Sequence, residues 1–103
     1  MTTVTHLESI NDSLAQARAL LARDELTHKQ ALEHAKQVQA WAREQSKKTG
    51  RPYAEFWPQV YQARQNASAA RHQVVRQEQF ISQLEEDLFV EEGRQETLRQ
   101  IES

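Results

Sequence analysis

Small or apolar residues return along the first half of the chain in alternating steps of three and four. Leu7, Leu14, Leu21, His28, Ala35 and Ala42 form one series, and Ile10, Ala17, Asp24, Ala31 and Val38 form a second three residues later. That alternation lays a single stripe along one face of a helix and matches the seam of a coiled coil or helical bundle. Thr5 and Glu8 have the spacing of a capping box, which places the helix start at Thr5. The run Thr49, Gly50, Arg51, Pro52 breaks the pattern, because glycine suits a helix C-cap and proline keeps its predecessor out of the helical region. The spacing therefore predicts a first helix over residues 5–48.

A second stripe follows with the same period. Val60, Ala67, Val74, Ile81 and Leu88 alternate with Ala63, Ala70, Gln77 and Leu84, and after a gap at Glu91 the pattern resumes at Leu98. Pro58 suits a first helical turn, so the second helix is expected over 58–101, with Gly93 ending or bending it and residues 94–101 frayed. Residues 49–57 form the connecting tip. The expected fold is all-α: one domain over residues 1–103, a long antiparallel, coiled-coil-like hairpin. A turn centred near residue 53 pairs positions whose numbers sum to about 107, bringing Val38 near Ala69, Leu21 near Glu86 and Leu7 near Gln100.

Two helices cannot enclose a core. Leu20, Leu32, Trp41, Val75, Phe80, Phe89 and Val90 fall beside or off the main stripe and call for a second surface. A homodimer that completes a four-helix bundle supplies one. The residues assigned to the core and dimer contact are Leu7, Ile10, Leu14, Leu20, Leu21, Val38, Val74, Phe80, Ile81, Leu84 and Leu88.

Composition agrees with long helices. Of 103 residues, 38% are hydrophobic and 27% charged, with two glycines and two prolines. So few turn-forming residues argue against sandwiches, barrels and alternating α/β units. The absence of cysteine removes disulfides, thiolate metal sites and a cysteine nucleophile. The longest apolar run, Ala19 to Ala22, is far too short for a membrane span. Residues 1–10 lack the basic-then-apolar order of a secretory leader, so a cytoplasmic protein without membrane contact is expected.

Charge is segregated along the sequence. Residues 1–40 hold four Lys/Arg and five Asp/Glu, residues 41–76 seven and two, and residues 77–103 two and eight. The net values of −1, +5 and −6 add to the chain's −2. Aromatic and basic residues interleave in the middle third: Trp41, Tyr53, Phe56, Trp57 and Tyr61 with Arg43, Lys47, Lys48, Arg51 and Arg64. Such a set fits a protein hot spot, stacking and phosphate contacts to nucleic acid, or a hydrophobic cap on the hairpin.

Catalytic patterns are sparse. Glu25-Leu26-Thr27-His28 has the Glu-x-x-His spacing of carboxylate-bridged metal bundles, with Glu78 or Glu85 as further ligands in a dimer. The alternative is a polar layer in which Asp24 and His28 fix the register. His34 and His72 are expected to approach each other, yet no glycine-flanked serine or glycine-rich phosphate loop accompanies them. The sequence thus points to a non-enzymatic protein interaction module without cofactor, acting as an adaptor, chaperone-like factor or inhibitor. Its expected partners are a second copy and another protein, bound through the aromatic and basic tip. A small nucleic-acid-binding protein and a carboxylate/histidine metal bundle are the second and third readings.

Overall fold

The computed structural model describes the backbone of residues 2–102 and the side chains of residues 6–102. It is an all-α helical hairpin: helix α1 (Thr2–Thr49), a short 3-10 helix (Tyr53–Phe56) and helix α2 (Trp57–Glu102). No strand occurs among the described residues. No described helix is long and apolar enough to cross a membrane. Contacts divide the chain into a hairpin unit, Arg23–Val74, and a terminal unit made of residues up to Ala22 together with those from Val75 onward.

Each helix end differs from the sequence expectation by one to three residues, and α1 ends at Thr49, one residue later than expected. Helix α1 begins at Thr2, so Thr5 lies within it and not at its cap. Neither glycine nor proline stands in residues 2–5 to stop the helix earlier, and the Thr5 side chain falls outside the described ones. Helix α2 opens at Trp57, with Pro58 in its second position, where a missing N–H costs no intrahelical bond. It then runs through Gly93 without ending or fraying before Glu102. A lone glycine lowers helix stability by only about 1 kcal/mol and does not by itself end a helix.

Side-chain chemistry closes the turn. Gly50 takes a φ of 71°, the left-handed conformation that lacks a penalty only for glycine, and its N–H donates to the Ser46 carbonyl at 3.0 Å. The Thr49 hydroxyl donates to the Gln45 carbonyl at 2.7 Å and accepts the Arg51 N–H at 3.3 Å. The Ser46 hydroxyl reaches across to the Arg51 carbonyl at 2.7 Å. Pro52, with φ −59° and ψ 142°, is extended, and its carbonyl accepts the Glu55 N–H at 3.0 Å to start the 3-10 turn. Lys47 and Lys48 in the last turn of α1 complement the negative end of the helix dipole.

This turn is tighter than a connection centred on residue 53, and it shifts the register. Arg18 pairs with Glu85 in the terminal unit and Arg64 bonds Gln39 in the hairpin unit, each pair summing to 103. Val38 beside Pro58, Gln62 and Ala63, and Trp41 against Phe56, give sums of 96 to 101. The pairing is thus displaced from the expected 107 by four residues or more, at least about one helical turn.

Within the terminal unit, Ile10, Leu14, Ala17 and Ile81 are buried, and Leu21, Leu84 and Leu88 pack on them. A fully buried leucine such as Leu14 contributes on the order of 2 kcal/mol through removal of apolar surface from water. The seam of the hairpin unit is built from smaller residues: Ala35, Ala42, Val60, Ala63, Ala67 and Val74 are buried there. Small side chains let the helices approach closely but bury less apolar area per layer.

Each unit also buries one acid in the seam. Asp24 in the hairpin unit is 7% exposed and Glu91 in the terminal unit 6%. Glu91, the gap in the apolar series of the second helix, is thus buried in the seam despite its charge. It occupies the three-residue step after Leu88, and the period carries it inward whatever its polarity. Arg23 Nη2 stands 3.8 Å from Asp24 Oδ1, and Arg94 Nη1 3.8 Å from Glu91 Oε2. The second oxygen of each acid, Asp24 Oδ2 and Glu91 Oε1, has no hydrogen-bond partner.

Candidate functional site

Helical phase sorts the basic and aromatic residues of the hairpin unit into two sets. Tyr53, which opens the 3-10 helix, and Trp57, which opens α2, have ring centroids 6.4 Å apart and planes tilted by 57°. The Arg64 guanidinium lies over the Trp57 ring, 5.2 Å from its centroid, and its Nη2 donates to Gln39 Oε1 at 3.2 Å. This cation–π stack and hydrogen bond hold a long side chain in one direction. Arg43, Ser46 and Lys47 of α1 join Gln39, Tyr53, Trp57 and Arg64 around an open groove of about 470 Å³.

A second groove of about 310 Å³ shares Arg64 with the first and continues along the same side. It is lined by His28, Leu32, Ala35, Ala67, Ser68 and Arg71. The two grooves thus bring together four cations, Arg43, Lys47, Arg64 and Arg71, with two aromatic rings. No carboxylate lines either groove, and none of the four cations forms an ion pair among the described residues. Lys36 and Lys29 precede Arg43 at seven-residue intervals and so share its helical phase.

The remaining tip residues line neither of these two grooves. Trp41 and Phe56 meet edge to face, with centroids 5.7 Å apart and planes at 88°, an arrangement favoured by the ring quadrupoles. Lys48 is paired with Glu44 at 3.0 Å, and Arg51 with Glu55 at 3.8 Å, so local acids neutralise both cations. Tyr61 is exposed and lines neither groove. A third groove, of about 510 Å³, holds His34 with Val38, Pro58 and Gln62; His72 does not line it.

The residues assigned to core and dimer contact divide by helical phase. Ile10, Leu14, Val74 and Ile81 are buried within the chain, and Leu7, Leu21, Val38, Leu84 and Leu88 are half-buried in its seam. Leu20 and Phe80 are exposed. Glu25 is exposed while His28 is half-buried, and no group of three or more His, Asp or Glu among the described residues could hold a metal. The contributions of Gln39, Ser46 and Arg71 to the grooves were not read from sequence. Arg71 could have been, since it follows Arg64 by seven residues.

Compared with family models, curated proteins and solved structures, the chain matches none.

Proposed function

We propose that this chain is a non-enzymatic protein interaction module, an adaptor, chaperone-like factor or inhibitor of the cytoplasm, which associates with itself and engages a further protein. The observation that carries this reading is the set of large apolar side chains the seam leaves in water. Phe89 is 77% exposed, Val90 61% and Phe80 53%, with Leu26, Leu32 and Leu20 also exposed. Aromatic and branched side chains in such numbers on a small helical chain are the mark of a surface that a partner covers.

Self-association links folding to concentration. The midpoint of thermal unfolding, followed by circular dichroism at 222 nm, is expected to rise as total chain concentration rises, because the dimer forms only from folded chains. A folded chain whose midpoint is the same at every concentration would remove the self-association part of the proposal.

The carboxylate-free groove with its four cations and two rings also favours a second reading, in which a nucleic-acid strand lies there, its phosphates on the cations and a base on Trp57. Such binding weakens steeply with salt. Fluorescence anisotropy of a labelled oligonucleotide across a salt series separates the two readings.

A further inference from the structure

Resting on that reading, we infer that the partner seated on the basic side of the hairpin unit is the acidic side of the terminal unit of a second copy of this chain, in an antiparallel, two-fold dimer along α2. Three observations lead there. First, in the hairpin unit one phase of α2 presents Trp57, Arg64 and Arg71, seven residues apart, and Arg64 and Arg71 line the carboxylate-free grooves. Second, in the terminal unit the same seven-residue phase presents Glu78, Glu85 and Glu92, all exposed. The period is identical and the sign opposite, so both rows repeat about every 10 Å along a helix.

Third, the next phase around α2 is apolar and small. It presents Tyr61, Ser68 and Val75, then Ser82 and Phe89; Tyr61 is 52% exposed, Val75 38% and Phe89 77%. Laying two copies of α2 antiparallel with the two-fold at Val75 solves both rows together. Arg71 faces Glu78 of the second copy, Arg64 faces Glu85 and Trp57 faces Glu92. Tyr61 meets Phe89, Ser68 meets Ser82, and Val75 meets its own counterpart. Every pair off the axis occurs twice and the Val75 pair on it once, as an isologous contact requires. A parallel, in-register pairing sets Arg64 on Arg64 and Glu85 on Glu85. Glu85 already takes Arg18 at 3.5 Å within its own chain, but it is 54% exposed and its carboxylate has room for a second donor. The apolar row supplies the holding force, while the charged row selects orientation and register.

A phosphate polymer would satisfy the cations but would leave Phe89 and Val75 in water. The acidic row with its adjoining apolar row satisfies both, which favours the second copy as occupant.

The test is a charge swap at the pair nearest the two-fold. Arg71 and Glu78 are exposed and in no ion pair among the described residues, so Arg71→Glu and Glu78→Arg should each keep the helical spectrum of the unaltered chain. Either variant alone puts two like-charged pairs across the interface and should dimerise on the order of tenfold more weakly in sedimentation at low salt. An equimolar mixture of the two, and the double variant Arg71→Glu/Glu78→Arg, should each restore dimerisation to within about threefold of the original, since every pair is again of opposite sign. Unaltered dimerisation of both single variants would overturn this interface while leaving self-association standing. Weakening without rescue would overturn the register. A monomeric parent chain, whether or not it binds a labelled oligonucleotide, would overturn both this inference and the self-association on which it rests.

Discussion

Asp24 shows what one residue does when the helical period and its own chemistry disagree. The alternation of three and four carries it into the seam, where its Oδ2 lacks any hydrogen-bond partner and Arg23 reaches only its Oδ1, at 3.8 Å. A buried carboxylate so poorly partnered costs more in desolvation than one distant arginine returns. Asp24→Leu should therefore raise stability by roughly 1–3 kcal/mol, as read from the urea midpoint. A loss of stability would mean that the acid is satisfied in solution by a group the seam does not display. A polar group at such a seam position is known to fix register in coiled coils, so the same variant should also loosen the choice of pairing.

The two glycines give opposite predictions at the scale of the element, because one sits where a helix ends and the other where it continues. Gly50 has open space around its Cβ position, but its φ of 71° strains any other residue. Gly50→Ala should lower stability by about 1 kcal/mol despite the absence of a clash. Gly93 is helical and equally uncrowded, so Gly93→Ala should add about 0.5–1 kcal/mol by propensity alone. Thermal melts of the two variants should move in opposite directions. If both moved down, α2 near Gly93 would be less regular than its backbone indicates.

The same elements mark what could be read from the amino acids. The two helices and their buried faces follow from periodicity, since every residue on the 3-4 alternation from Leu7 to Gln45 and from Val60 to Glu91 is buried or half-buried. The register was not legible, because the tightness of the turn depends on hydrogen bonds among Ser46, Thr49 and Arg51 that no period announces. For the candidate site, the mixture of aromatic and basic residues was legible as a cluster along the sequence. Its division was not: pairing of Lys48 with Glu44 and of Arg51 with Glu55 withdraws two cations, while Arg71, outside the cluster, joins the groove by phase.

For the molecule as a whole, the account rests on the difference between what a two-helix seam can cover and what this chain carries. The seam takes the 3-4 positions and leaves Phe80, Phe89 and Val90 to water. Charge adds direction to this apolar demand, since the middle third of the sequence is +5 and the last third −6. Exposed ion pairs contribute at most about 1 kcal/mol each, so high salt should weaken the dimer modestly without abolishing it, whereas truncating Phe89 and Val75 to alanine should weaken it at every salt concentration. Sedimentation equilibrium of the unaltered chain at micromolar concentration tests the central claim most directly. The account predicts a mass of twice the 12.0 kDa chain that dissociates on dilution; a single species of 12.0 kDa, fully helical at every concentration, would contradict it.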